Sequence, residues 1–271
     1  MARFRPHLLC LGLVALVVTG LFSGNLTAAE LVSHRATYSL QLDQANPTGR
    51  YSAVKGGATT SLERTCEGWI SAEDVGMVVS TRIGGEIAQH LRFTGWESAN
   101  GLKYQFVSRS RFGAERLNVK GRASLEAAGT NGTAIYQLPV EATRRLPAGT
   151  RFPTGHLAWL INRARADYRQ SESFVFDGSD DQGPERMVVF VGSAFEQWGD
   201  GSVPLGPLTD RPGWLMRFAA FGEESMQAQP DYEFEAKLLD NGVIVEVLLD
   251  FQEFTVMQSL VKIEPSPESA C

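Results

Sequence analysis

The side chains in this chain that could do chemistry are few and scattered. The densest carboxylate group lies in the phrase Phe176-Asp177-Gly178-Ser179-Asp180-Asp181. Oxygen ligands at Asp177, Ser179 and Asp181 would fit the start of a calcium loop. Such a loop also needs a glycine at its sixth position and a glutamate at its twelfth, where this chain has Gln182 and Val188. The same letters tolerate turn geometry, so a turn leaving a strand is the reading they favour. Two of these carboxylates could serve as acid and base on a glycan, but sequence neighbours seldom face a scissile bond from opposite sides.

Catalytic patterns of other kinds are missing from the sequence. It holds no G-x-S-x-G, no H-E-x-x-H and no phosphate-binding P-loop. His34, His90 and His156 are each isolated, and surface or hydrogen-bonded structural roles are expected for them. Core packing is expected for most of Trp69, Trp96, Trp159, Trp198 and Trp214, and a ligand role only if several face one cavity. The pairs Gly56-Gly57 and Gly84-Gly85 are expected to mark bulges or sharp bends.

The N-terminus places the chain in a compartment. Arg3 and Arg5 precede an apolar run from Leu8 to Val18, and small and polar residues then lead to Ala28 and Ala29. That order predicts a signal peptide over 1–29, too short in its apolar run to span a bilayer, and a single β-rich domain over 30–271 in the periplasm. Cys10 falls too early to be a lipid-attachment cysteine. Removing 1–29 leaves Cys66 and Cys271, which allow one intramolecular bond, and an oxidising compartment favours it. The formal charge of the chain is −6. Without Arg3 and Arg5, 23 cations face 31 carboxylates, a formal charge of −8. This balance argues against nucleic acid, and against an anionic membrane surface, as the main partner.

The elements that must position these residues are mostly strands. Period-two alternation runs through Ala36, Tyr38, Leu40 and Leu42, through Ile87, Leu91 and Phe93, and through Leu102, Tyr104 and Phe106. It returns at Tyr232 to Leu238, Val243 to Leu249, and Phe254 to Leu260, with Asp240-Asn241-Gly242 as a hairpin turn. Asn46-Pro47, Asn100-Gly101 and Asn131-Gly132 punctuate antiparallel meanders. One segment departs from this rhythm. Leu157, Leu160, Ile161 and Ala164 follow helical spacing after Pro153, which predicts an amphipathic helix capped by Thr154 and packed on the sheet. Most of 192–212 is expected to form an irregular loop.

Taken in order, several phrases resemble one family. They are Leu31-Val32-Ser33-His34-Arg35-Ala36-Thr37-Tyr38, Cys66-Glu67-Gly68-Trp69, Phe152-Pro153-Thr154-Gly155-His156, the Val175 to Asp181 segment, Pro230-Asp231-Tyr232-Glu233, Asn241-Gly242-Val243 and Leu249-Asp250-Phe251 before the terminal cysteine. The chain is similar to the periplasmic cell envelope integrity protein B (EipB) family of α-proteobacteria. The resemblance implies a mainly β fold, a spiral-like or broken antiparallel β-barrel with one helix packed against it, and a disulfide between Cys66 and Cys271. It also implies a non-enzymatic role in keeping the envelope intact under stress, without a cofactor, through binding a periplasmic tetratricopeptide-repeat protein. Two other readings stay open: a carrier holding a lipid or other apolar envelope component in the barrel, and an envelope glycan hydrolase using the aspartate cluster.

Overall fold

The computed structural model describes residues 30–198, 205–222 and 228–267. The expected signal peptide and Cys271 lie outside these residues. All fourteen described strands join one antiparallel sheet. The first eight follow one another as a meander: β1 (His34–Ala45), β2 (Tyr51–Arg64), β3 (Gly68–Thr81), β4 (Glu86–Ser98), β5 (Lys103–Phe112), β6 (Glu115–Leu125), β7 (Gly132–Leu138) and β8 (Ala142–Leu146). The helix α1 (Pro153–Arg165) comes next. A second meander completes the chain: β9 (Gln170–Val175), β10 (Glu185–Phe195), β11 (Gly213–Gly222), β12 (Tyr232–Leu239), β13 (Ile244–Asp250) and β14 (Phe254–Pro265).

The spatial order is β8-β7-β6-β5-β4-β3-β2-β1-β14-β13-β12-β11-β10-β9. The first and last strands of the chain therefore pair, and the sheet is left open between β8 and β9, which are neighbours in sequence. This is the expected broken antiparallel barrel with one helix. Period two explains the inward face: Ala36, Tyr38 and Leu40 are buried while Arg35 and Gln41 are exposed. A register shift opposite Thr37 and Tyr38 keeps both Leu260 and Ile263 inward and turns Val261 out. At the predicted hairpin the Gly242 N–H donates to the Leu239 carbonyl at 3.0 Å, and Gly242 has a φ of 90°.

The expectation for 192–212 needs correction at its start. Its first residues continue β10 to Phe195 across a bulge between Val191 and Ala194, where the ladder with β11 resumes at Trp214. A bulge breaks the two-residue rhythm, which is why alternation alone missed it.

Three apolar clusters fill the concave side. One joins β1, β2, β3, β13 and β14 around Tyr38, Leu40, Val245 and Val256. A second sits under α1, where Leu160, Ile161 and Ala164 meet Met187, Val189, Met216 and Leu238. The third is aromatic, with Tyr104, Phe106, Tyr136, Phe152 and Phe176 at its centre. Leu157, also predicted on the helix stripe, packs at the edge of the second cluster.

Candidate functional site at the break in the sheet

The inward row of β4 runs Ile87, Gln89, Leu91, Phe93, Gly95 and Glu97, so strict alternation delivers a carboxylate to the buried side. Glu97 is 3% exposed. Its Oε2 accepts the Thr154 N–H at 2.8 Å and its Oε1 accepts the Gly155 N–H at 2.9 Å. Those are orphan amides of the first turn of α1. The helix lacks a local cap: its N-cap is Phe152, Pro153 opens it, and its first turn has no acidic residue. Thr154 is therefore not the cap. It lies inside the first turn, where its own amide needs an acceptor, and Glu97 supplies one from another strand. Burial pushes the Glu97 carboxyl up to about 7, against the pull of the two N–H bonds.

Aromatic rings close the same gap. The Tyr104 ring stacks on Phe152 with centroids 5.0 Å apart, and Phe176 meets Phe106 edge-on at 5.3 Å. The Tyr104 hydroxyl donates to the Asp177 carbonyl at 2.9 Å. Two glycines make room. A Cβ on Gly95 would stand 2.7 Å from the Tyr104 oxygen, and one on Gly178, whose φ is 69°, would stand 2.3 Å from the Phe106 ring. The segment after β9 thus lies directly on β5.

The aspartate cluster belongs to that segment. Asp177 Oδ1 accepts the Ser179 N–H at 2.9 Å and Asp180 Oδ1 accepts the Gln182 N–H at 2.8 Å, two successive Asx turns. Asp181 accepts from the Gln182 side chain. These bonds give each aspartate a place in the turn that holds Phe176 and Gly178 against the rings.

A cleft of about 260 Å³ opens beside the helix start, lined by Leu31, Trp69, Glu97, Arg151, Phe152 and Gly155 among others. Among the described residues, Arg151 spans the break with its backbone, bridging Val175 with N–H and carbonyl bonds to Phe174 and Phe176. Its guanidinium lies 4.4 Å over the Trp159 ring, and His156 stacks on the same ring at 5.8 Å. Burial, helped by Arg151, holds the His156 imidazole down at about 3, so it is neutral. Its Nε2 is buried with no partner among the described residues. At the other end of α1, Arg165 donates to the Asp240 carbonyl at 3.1 Å. The arrangement can hold a helix across an open sheet through one titratable carboxylate. Both Glu97 oxygens already accept backbone amides, which suits anchoring.

The other residues singled out in the sequence do not converge here. His34 is buried on β1, with Nδ1 2.9 Å from the Val32 carbonyl, and burial lowers its pKa. His90 is exposed on the outward face of β4, 2.7 Å from Asp74. Trp69 lines the cleft and Trp159 and Trp214 pack around α1, whereas Trp198 sits against the first cluster and reaches Glu246. Gly84 and Gly85 turn the chain between β3 and β4 with positive φ. Cys66 lies in the turn between β2 and β3, and its predicted partner Cys271 is outside the described residues. Sequence reasoning missed Glu97 and Arg151. A carboxylate on the apolar parity of β4 was the available signal for Glu97. Arg151 had none.

Comparisons with known proteins agree with this architecture. A family model described as EipB-like matches residues 25–267. The cell envelope integrity protein EipB of Brucella abortus (strain 2308) is 29% identical over 246 residues, covering 88% of this chain and 85% of that protein. A crystal structure of a β-barrel-like protein from Brucella abortus, titled as a domain of unknown function, superposes with a TM-score of 0.79 at 27% identity. It covers 89% of this chain and 100% of that one.

Proposed function

This chain belongs to the EipB-like family, and from that premise we propose that it supports cell-envelope integrity under stress as a non-enzymatic periplasmic binding protein. Its named relative is a cell envelope integrity protein. Among the described residues no helix is long and apolar enough to cross a membrane. The observation that carries the binding reading is the filled concave side at the break. Tyr104, Phe106, Tyr136 and Phe176 occupy it with each other and with Phe152, which favours a scaffold that works through its surface. A periplasmic tetratricopeptide-repeat protein is the partner class the resemblance implies. The carrier alternative keeps a cavity elsewhere under the sheet as its requirement.

A bond between Cys66 and Cys271 fits the ends of the strands. The Ser266 N–H donates to the Ser33 carbonyl at 3.1 Å, and Ser33 Oγ accepts the Arg64 N–H at 3.0 Å. The late chain therefore runs beside the turn that holds Cys66. The residues from Pro267 to Cys271 can span up to about 14 Å. Deleting the gene and complementing it tests the function. Sensitivity to detergent and to cell-wall inhibitors should rise on deletion and return to normal with the full chain. In vivo cross-linking followed by mass spectrometry should recover a protein partner. Recovery of a stoichiometric lipid and no protein would replace this reading with the carrier.

A further inference from the structure

The net negative charge of this chain hides a face of the opposite sign. On the inward side of β5–β8 lie Tyr104, Phe106, Val119, Ala123, Ala134, Tyr136 and Leu146. The alternate positions face out, and they include Lys103, Arg109, Arg111, Arg116, Lys120, Arg122 and Arg145, all exposed. No carboxylate stands among the outward positions of these four strands, and none of the seven cations forms an ion pair among the described residues. The ladder sets like charges against each other: Arg111 is opposite Arg116, and Arg109 is opposite Arg92. Directly opposed like charges weaken a sheet, so packing within the fold gives no reason for this array.

A second observation lies along one rim of the same face. Alternate turns of a meander leave from one end of the strands, and the β3–β4, β5–β6 and β7–β8 turns do so here, staggered along the sheet. Ile83 is 98% exposed there and Val140 71%, joined by Leu138, about half exposed. Aliphatic side chains at turn tips beside a field of cations suit insertion between lipid headgroups. Charge alone would suit any polyanion.

We propose that the outward face of β5–β8, with the apolar rim of Ile83, Leu138 and Val140, docks on an anionic phospholipid bilayer. The cations meet headgroup phosphates and the rim enters the interface. The rest of the surface carries the excess negative charge and points away, so attraction depends on orientation and weakens as salt screens it.

Co-sedimentation with vesicles tests this, with circular dichroism confirming that each variant keeps its fold. The protein should sediment with phosphatidylglycerol-containing vesicles at low salt and stay in solution with pure phosphatidylcholine. The triple variant Arg109→Glu/Arg111→Glu/Arg122→Glu should lose about tenfold or more in partitioning, and Ile83→Ser/Val140→Ser about threefold or more. Arg35→Glu/Lys55→Glu/Lys262→Glu changes net charge equally on the outward side of β1, β2 and β14, and should stay within about twofold of the parent. Equal loss in both triples, or no sedimentation with anionic vesicles, would overturn the proposal. Capture by immobilised poly-glutamate combined with no effect of the rim variant would also overturn it, and would assign the face to an acidic macromolecule.

Discussion

The two meanders of this protein meet at two joints that are closed by different means. Between β1 and β14 the joint is a backbone ladder running from His34 opposite Pro265 to Ala45 opposite Phe254, interrupted by two register shifts. Between β8 and β9 the backbone contributes, among the described residues, a single bridge at Arg151, and the gap is closed by α1, the Glu97 carboxylate and five aromatic rings. A ladder depends little on which side chains it carries, because every residue brings its own N–H and C=O. A joint made of side chains depends on each of them and on their protonation. The open joint is therefore where substitution and pH should act.

Truncating a ring at the open joint should have the largest effect. Phe176→Ala removes a fully buried ring that touches Tyr104, Phe106, Tyr136 and Phe152, and should cost about 3–5 kcal/mol in denaturant unfolding. A cost below about 1 kcal/mol would mean that the rings do not close the gap.

Next is Cys271→Ser. Loss of the proposed bond to Cys66 should cost about 2–4 kcal/mol under oxidising conditions and nothing extra under reducing conditions. Because Cys66 follows β2, next to the ladder joint, this also asks whether that joint needs a covalent clasp. An unchanged midpoint would deny it.

Glu97 should come third. Glu97→Ala strips two helix amides of their acceptor and should cost about 1–3 kcal/mol, with faster amide exchange at Thr154 and Gly155. Glu97→Gln tests the sign of the pH dependence. The folded carboxyl titrates near 7 and an ordinary one near 4.5. Between these values the folded state holds a proton that the unfolded state has lost, so stability falls as pH rises through that window. Parent minus Glu97→Gln in unfolding free energy should therefore grow from pH 8 down to about pH 5. Taking this difference cancels the opposite trend from His156. Its lowered pKa destabilises the fold as pH falls below 6.5, towards about 3. A flat difference would show that Glu97 is not held as described.

The smallest effect is expected at the ladder. Thr255→Ala removes a hydroxyl that accepts the Gln44 N–H at 3.1 Å and donates to Asp43 at 2.9 Å, all at the exposed surface. It should cost no more than about 0.5 kcal/mol. A loss as large as that from Glu97→Ala would erase the distinction between the two joints.

Much of this was legible in the letters, for reasons of local physics. Alternation placed Tyr38, Leu40, Tyr104 and Phe106 inward, helical spacing found α1 and its buried Leu160, Ile161 and Ala164, and Asp240-Asn241-Gly242 marked its turn. Each signal spans a few residues and needs no knowledge of what lies across the fold. The bulge in β10 escaped because one extra residue shifts the parity on which the reading depends. The cap of α1 was assigned to Thr154 because only neighbours are visible in sequence, whereas Glu97 arrives from 57 positions away. Net charge is likewise a sum over the chain. Only the register of β5 to β8 decides that seven cations share one face, so the sequence alone determined strand, helix and turn, while the tertiary structure decided which distant side chains complete one another.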